Sequence, residues 1–217
     1  MDAYANWARR SIASKMNIRN IYEIKPVLSN EKVELRAIRK EDVEQLRWFS
    51  QQEPEIWKYG LVTAAGEENL LQYVSAAVKN LEEEKEYPFI VFDKSSGRYA
   101  GSTRFYDIQP SFGSTQLGYT WYGRDFQRTG LNRHCKLLLL GFAFEEWGLE
   151  RVEFRAHSDN TASINAMKAI GCVEEGILRS HMPTVMGTRR DSVVLSILKE
   201  EWFGGVKDLI KNKIYSK

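Results

Sequence analysis

The chain has few of the residues that form covalent or metal cross-links. It contains two cysteines and three histidines among 217 residues, and Cys135 and Cys172 do not form a CxxC pair. Disulfide frameworks and zinc sites both require several suitably spaced Cys or His side chains. The sequence therefore predicts no disulfide framework and no bound metal, and we expect both thiols to be reduced.

The chain also lacks an excess of charge of one sign. Its net charge is only +2, from 31 basic and 29 acidic side chains. Binding to nucleic acid or to a membrane surface through charge requires a broad field of one sign. We therefore expect neither partner for the chain as a whole, so that any site for a polyanion has to be local.

Long apolar runs are absent as well. The longest one, residues 137–144, is interrupted by Gly141, whereas a membrane-spanning helix needs about 20 apolar residues. The N-terminal stretch has no apolar core of a signal peptide. Arg9 and Arg10 are typical of a transit peptide, but Asp2 opposes that interpretation. We expect a soluble, cytoplasmic protein.

The abundant residues are those of an ordinary folded domain. Hydrophobic residues make up 43% of the chain and charged residues 28%, and the length suits one domain with a single core. Periods of two predict strands at residues 33–38, 88–93, 98–108, 114–122, 151–157, 176–182 and 192–198. Periods of 3.6 predict helices after Asp42 and at residues 70–81, 131–147 and 161–170.

These elements follow the order β-α-α-β-β-β-α-β-α-β-β. The order predicts an α/β (α+β) fold with a mixed sheet, flanking helices and one strand–helix–strand crossover. We assign residues 31–203 to this domain, 1–30 to an N-terminal extension and 204–217 to a C-terminal tail. The apolar residues of the extension favour either a short helix or a loose arm: Trp7, Ile12 and Met16.

The segment 119–134 runs from a strand end through a glycine-containing loop into a helix. The first turn of a helix leaves backbone N–H groups unpaired, and these bind phosphate together with the helix dipole. Gly130 lets the backbone approach such a ligand closely. Basic side chains surround it: Arg124, Arg128, Arg133 and Lys136. A polyanion site is one interpretation, and a capped helix with a solvated basic face is the other. The nucleotide motifs GxGxxG and GxxxxGK[ST] are absent.

The run Gln127-Arg128-Thr129-Gly130-Leu131-Asn132 resembles the Q/R-x-x-G-x-G/A motif of the GCN5-related N-acetyltransferases (GNAT). Further stretches are similar to the branch typified by ribosomal-protein N-terminal alanine acetyltransferases: residues 136–140, 151–155, 160–163 and 173–181. The resemblance covers residues 31–203 and is strongest from 114 to 182. It implies an acetyl-CoA-dependent N-acetyltransferase domain with a twisted, mostly antiparallel sheet.

The resemblance also implies residue roles. In this family the loop binds the pyrophosphate of coenzyme A, which here involves Gln127, Arg128, Thr129, Gly130, Leu131 and Asn132. The strand backbone at Trp121 and Tyr122 is expected to pair with the pantetheine arm. Asn160 and Ser163 match a second motif beside the cofactor, although Asn160 is equally suited to cap the helix. Asn132 departs from the usual Gly or Ala.

Attack of an amine on a thioester requires a proton acceptor for the amine and a donor near the leaving sulfur. In many relatives a tyrosine is the donor, but the matching position here is Met167. The branch places a serine near the sulfur, so the resemblance favours Ser163, whose hydroxyl otherwise belongs to a helix turn. Histidine titrates near neutrality, which favours His181 as the base or as a structural residue. Weaker candidates are Glu153, Glu175 and His157.

Three classes of function remain open from the sequence. The first is transfer of acetyl to a primary amine, either a protein N-terminus or a small molecule, by direct attack in a ternary complex without an acyl-Cys135 intermediate. The second is a catalytically silent acyl-CoA sensor, because the tyrosine is missing. The third is a ribosome- or nucleic-acid-associated module. We expect residues 59–69 and 184–190 to frame the acceptor pocket, and a homodimer is left open.

Overall fold

A computed structural model of the protein describes residues 18–184 and 187–216. Trp7, Ile12 and Met16, for which the sequence favours a short helix or an arm, lie outside the described residues. In the described part of the chain one sheet is flanked by helices, and this confirms the predicted fold class.

Eight strands of the described chain form the sheet. Their bounds are β1 (Leu28–Ser29), β2 (Val33–Ala37), β3 (Tyr87–Asp93), β4 (Arg98–Gln109), β5 (Ser114–Tyr122), β6 (Arg151–His157), β7 (Val173–Pro183) and β8 (Arg189–Leu198). Their order across the sheet is β1-β2-β3-β4-β5-β6-β8-β7. All neighbours pair in antiparallel fashion except β5 and β6, which are parallel and joined by the predicted crossover.

Four of the helices lie where the sequence periodicities predict them. The helix bounds are α1 (Ile21–Ile24), α2 (Val43–Gln52), α3 (Glu67–Glu82), α4 (Leu131–Gly141), α5 (Thr161–Ala169), α6 (Lys199–Glu201) and α7 (Lys207–Tyr215). The four at predicted positions are α2 to α5. In α3 the buried face carries Leu70, Val74 and Ala77 at intervals of three and four residues. Acidic residues begin this helix and Lys79 lies in its last turn, which complements the helix dipole.

The crossover helix differs from the prediction of one continuous helix over residues 131–147. After α4 the chain forms a π-helical turn over Phe142–Glu146, and the Trp147 N–H donates to the Phe142 carbonyl oxygen at 2.8 Å. Phe142, Phe144 and Trp147 are all buried. The wider turn therefore contributes three aromatic side chains to the core, and Gly148 follows it with a positive φ.

The C-terminal segment that we assign as a tail is helical. A π-helical turn at Trp202–Val206 leads into α7, and Trp202 and Ile210 are fully buried. Helix α7 packs against α4, where the Arg133 guanidinium donates to the Lys213 carbonyl oxygen at 3.1 Å. The segment therefore contributes to the same core as the sheet.

The core covers the sheet on both faces at β3, where residues 87–91 are buried without a break. Helix α3 packs against β3, and α4 packs against β2. No helix among residues 18–184 and 187–216 is long and apolar enough to cross a membrane. Nor does this part of the chain contain a group of three or more Cys, His, Asp or Glu side chains that could hold a metal ion.

Candidate active site

The parallel strands β5 and β6 pair over three positions and then diverge. The pairs are Ser114 with Arg151, Thr115 with Val152 and Gln116 with Glu153. A cavity of about 360 Å³ lies in the gap beyond them. Strands β4 and β8 occupy the outer edges of the two strands, so the inner edges are left for a ligand.

The cavity brings together most of the predicted site residues. Seven of them line it: Trp121, Tyr122, Gln127, Asn132, Asn160, Ser163 and His181. Arg128 and Thr129 are exposed and Gly130 is half-buried at the loop beside the cavity, whereas the Leu131 side chain is fully buried in the core. Leu131 therefore takes part in a ligand site only through its backbone.

The loop before α4 presents unpaired backbone amides. Within the described chain, the N–H groups of Arg128, Thr129, Gly130 and Asn132 have no hydrogen-bond partner, and that of Leu131 makes one 3.4 Å contact with the Thr129 hydroxyl. Gly130 has a φ of +87°, and no atom lies within 4 Å of the position of a Cβ there. Unpaired amides at the N-terminus of an 11-residue helix fit a pyrophosphate.

The basic side chains that the sequence predicts around this loop do not come together in the structure. Arg124 forms an ion pair with Glu55, and Arg133 faces α7. Lys136 is buried, with its ammonium donating to the Thr120 hydroxyl at 3.2 Å. Arg128 is exposed in the loop itself, beside the free amides. A phosphate at this loop would therefore be bound by backbone groups and not by a basic surface.

Asn132, which departs from the usual Gly or Ala of the motif, does not cap α4. Gly130 is the N-cap residue, and no side chain bonds to the first turn from that position. The Asn132 Oδ1 instead accepts a hydrogen bond from the Tyr122 hydroxyl at 3.3 Å. Gln127 donates to the Tyr122 carbonyl oxygen at 2.8 Å. Both motif residues therefore hold the end of β5 against the loop.

The side chain of Trp121 belongs to an aromatic cluster beneath the cavity. Its indole N–H donates to the Tyr73 hydroxyl at 3.2 Å, and its ring packs edge-on against Trp57 and Phe49. The residue is buried, so a pairing with a cofactor arm at this position would use backbone groups.

Asn160 and Ser163 meet at the start of α5. The Asn160 Oδ1 accepts a hydrogen bond from the Ser163 backbone N–H at 3.1 Å, which is an N-cap. The Ser163 hydroxyl lines the cavity, and it has no hydrogen-bond partner among the residues that the structure describes. Met167 is buried one turn further along the same side of the cavity.

His181 lies on β7, where the strand faces the cavity. Its Nδ1 lies 3.0 Å from the Ser192 hydroxyl, and its Nε2 lies 3.2 Å from Nη1 of Arg155. Burial, followed by the charges of Arg155 and Arg190, lowers the pKa of His181 below its ordinary value of 6.5. The imidazole is therefore neutral near pH 7.

A family model described as an acetyltransferase (GNAT) domain matches residues 32–173, which is more than half of the chain. The chain belongs to the GNAT acetyltransferase family. It is therefore an acyltransferase, and the family predicted from its motifs is confirmed.

Among the relatives of this GNAT enzyme is the uncharacterized N-acetyltransferase p20 of Bacillus licheniformis. The two are 26% identical over 179 residues, which is 82% of this chain and 98% of p20. YdaF of Bacillus subtilis (strain 168), provisionally named a ribosomal N-acetyltransferase, is 32% identical over 108 residues, or 50% of this chain and 58% of YdaF. The ribosomal branch predicted from the motifs is thereby supported.

A solved structure of a GCN5-related N-acetyltransferase from Brucella melitensis has the same fold. It superposes with a TM-score of 0.80 at 23% identity, over 88% of this chain and 86% of the other. The ribosomal-protein-S5-alanine acetyltransferase of Vibrio fischeri superposes with a TM-score of 0.67 at 19% identity, over 82% and 98% of the two chains. Both comparisons establish the GNAT architecture of the sheet.

The other predicted candidates for acid–base chemistry are engaged elsewhere in this GNAT domain. Glu153 forms ion pairs with Arg151 at 2.9 Å and Arg155 at 2.7 Å. Glu175 accepts a hydrogen bond from Arg151 at 2.7 Å. This hydrogen bond is the main cause of the lowered pKa of the Glu175 carboxyl group. Neither carboxylate lines the cavity. His157 does line it, but its Nδ1 accepts a hydrogen bond from the Asp159 backbone N–H at 3.1 Å.

Sequence reasoning missed that two cations lining the GNAT cavity are buried. Arg190 lies on β8 and is 5% exposed. It is two residues from the buried Ser192 and therefore on the same face of the strand. Lys136 is 4% exposed on α4, and burial lowers its pKa to about 8. The burial of Lys136 could have been predicted from the sequence. This residue lies three and four positions before Leu139 and Leu140, on the apolar stripe of its helix.

Proposed function

We propose that this GNAT enzyme transfers an acetyl group from acetyl-CoA to a primary amine, either a protein N-terminus or a small molecule. The observation that carries the proposal is the cavity between β5 and β6, which joins a loop of unpaired amides to a set of ionisable side chains. The first feature suits a diphosphate, and the second suits proton transfer.

The loop and the β5 edge would hold acetyl-CoA. The free amides of Arg128, Thr129, Gly130 and Asn132 and the dipole of α4 bind the pyrophosphate. The inner edge of β5 at Trp121 and Tyr122 offers backbone groups to the amide-containing pantetheine arm. The amide of Asn160, whose Oδ1 already caps α5, has its NH₂ group left for the same arm.

Two side chains would handle the protons of the reaction. The amine nitrogen attacks the thioester carbonyl carbon, the carbon–sulfur bond breaks, and the acetyl group stays on nitrogen. His181, being neutral, accepts the proton that the amine loses, once its Nε2 leaves Arg155. The free hydroxyl of Ser163 donates a hydrogen bond to the departing thiolate.

Direct transfer in a ternary complex is favoured over a route through an acyl-cysteine. Cys135 and Cys172 are both buried, and burial raises the pKa of each thiol to about 12. A thiol in that state is a poor nucleophile at neutral pH, because the thiolate is the reactive form. The amine therefore has to reach the thioester itself.

Calorimetry with acetyl-CoA tests the binding part of this proposal. The variant Gly130→Asp places a carboxylate beside the amides, and Gly130→Asn is its uncharged control, since both residues tolerate the left-handed conformation. We expect Gly130→Asp to bind acetyl-CoA about tenfold or more weakly than Gly130→Asn. Like charges about 4 Å apart repel by about 4 kcal/mol near a protein surface. Equal affinities, or no heat from millimolar acetyl-CoA with the unaltered protein, would refute the site.

Release of the coenzyme A thiol tests the chemistry. The panel of acceptors contains peptides beginning with Ala or Ser, free amino acids and polyamines, and thiol is followed with a chromogenic reagent. We expect release with at least one class of amine. Binding of acetyl-CoA without release from any amine would favour an acyl-CoA sensor, the alternative that Met167 at the donor position raises.

A further inference from the structure

Arg190 carries a buried charge that has no acidic partner in the described part of the chain. Its Nε donates to the Ser192 hydroxyl at 3.1 Å, and its Nη1 donates to the Tyr59 carbonyl oxygen at 3.2 Å. Both acceptors are neutral. Its Nη2 has no hydrogen-bond partner within the described residues, although the side chain lines the cavity.

The other groups at this end of the cavity do not neutralise that charge. Arg155 is already paired with Glu153, and His181 is neutral. Tyr106 lines the same wall, and burial raises the pKa of its phenol. Burial also lowers the pKa of Arg190, as expected for a cation that is removed from water. This end of the cavity therefore bears a net positive charge.

A second orphan polar group belongs to Gln116, a residue that lines the same cavity. The Gln116 amide donates to the Asp107 carboxylate at 2.7 Å, but its Oε1 is buried and lacks a partner within the described chain. Gln116 is 6% exposed and stands where β5 and β6 begin to diverge. An unpaired buried carbonyl oxygen is costly unless a ligand donates to it.

We propose that the acceptor is a primary amine that also bears a carboxylate, with Arg190 binding the carboxylate and Gln116 accepting from the amine. This inference rests on the proposed acetyl transfer and specifies its substrate class. A guanidinium with free N–H groups matches a carboxylate, and a buried cation that lacks a counter-ion obtains one from the ligand. Free amino acids and peptides with an acidic first residue share this chemistry.

The charge at Arg190 also discriminates between amines. A cation in this wall repels an ammonium group that enters without a carboxylate of its own. An amine without a carboxylate has no compensating attraction for this end of the cavity. The arrangement therefore selects for acceptors in which a carboxylate lies within a few bonds of the amine.

Matched pairs of acceptors test the assignment in thiol release with the full chain. Each pair differs only by a carboxylate and its amide: glycine with glycinamide, alanine with alaninamide, and a peptide beginning with Asp with the same peptide beginning with Asn. We expect kcat/KM for the carboxylate to exceed that for the amide in the active pairs by about 10- to 100-fold, the range for a hydrogen bond between charged groups. The pair that responds tells free amino acids from peptides.

The variant Arg190→Gln removes the charge, and Arg179→Gln is the matched control, since Arg179 is exposed and does not line the cavity. We expect Arg190→Gln to raise KM for the carboxylate acceptor and to leave acetyl-CoA affinity unchanged. Equal rates within the active pairs of the unaltered enzyme would overturn the role of Arg190, even where the variant does not fold. Release from none of the pairs or other amines would instead refute acetyl transfer.

Discussion

Nη1 of Arg155 lies 3.2 Å from Nε2 of His181, and this contact fixes the protonation state of the histidine. A guanidinium only donates hydrogen bonds, so Nε2 is the acceptor and the ring proton is on Nδ1, facing the Ser192 hydroxyl. The imidazole is thereby held as a neutral base at pH values where an exposed histidine is protonated.

The pH dependence of kcat follows from this contact. A lowered pKa keeps His181 neutral as the pH falls through 6.5, so we expect the acidic limb of the rate profile to lie below that value. The rate profile of the His181→Gln variant should have no acidic limb. Arg155→Gln removes a neighbouring cation and its ion pair with Glu153, so the pKa of His181 rises and the limb moves to higher pH. A limb that persists in His181→Gln would exclude this base.

Ser163→Ala separates the hydroxyl from the helix cap, because the cap uses the Ser163 backbone N–H. We expect kcat to fall by about 10- to 100-fold, the effect of losing a hydrogen bond to a developing charge. Acetyl-CoA affinity should stay nearly constant. Thr161→Ala, at an exposed position of the same helix, is the control. Equal kcat values in the two variants would remove Ser163 from the reaction.

Asn160 has two separable roles. Asn160→Ala removes the cap of α5 and should lower the free energy of unfolding by about 1 kcal/mol. Asn160→Asp keeps an oxygen that caps the helix but loses the NH₂ group, so stability should be preserved while acetyl-CoA binds more weakly. Thermal unfolding and calorimetry together distinguish these effects. If Asn160→Asp binds acetyl-CoA normally, the side chain is a cap alone.

Lys136 makes stability rise with pH in the alkaline range. Its pKa is about 8 in the folded protein and 10.5 in the unfolded chain, so the unfolded state binds more protons between these values. The penalty of the buried charge is full below pH 8 and is lost by about pH 10.5. We expect Lys136→Met to be more stable than the unaltered protein by up to about 3 kcal/mol at pH 7.

This gain should shrink through the same pH window, by up to about 1.4 kcal/mol per pH unit. Titration of the buried thiols changes stability with pH in the opposite direction. Because both proteins contain these thiols, most of that effect cancels when the two stabilities are subtracted. Denaturant unfolding at pH 7, 9 and 10.5 measures it. A gain that is constant with pH would show that Lys136 is not perturbed in the folded state.

Local patterns were sufficient to predict the strands and the long helices. The alternation along β6 and the apolar stripe of α3 are set by residues close in sequence, and each buries one face in the predicted way. The order of the strands across the sheet could not be predicted from such patterns. The insertion of β8 between β6 and β7 arises from pairing of Phe154 with Leu195 and of Ile177 with Val193, contacts that no short window of sequence contains.

The candidate site was predictable where a motif specifies backbone geometry. Gly130 adopts the left-handed conformation that its place before a helix favours, and Asn160 caps α5. The burial of Lys136 and the isolation of Arg190 from carboxylates depend on tertiary packing. For that reason the basic cluster predicted from sequence proximity did not form, while Arg190 was predicted only as part of segment 184–190 and not as a buried cation.

The short β5–β6 ladder divides the sheet into a five-stranded and a three-stranded block, joined by three backbone pairs in the described chain. A molecule that bonds to both inner edges would add contacts across this division in the native state only, and so it resists separation of the blocks. Amide deuterium exchange should then slow more in residues 154–157 than in β3 when acetyl-CoA is added. Acetyl-CoA would thereby stabilise the association of the five-stranded block with the three-stranded block.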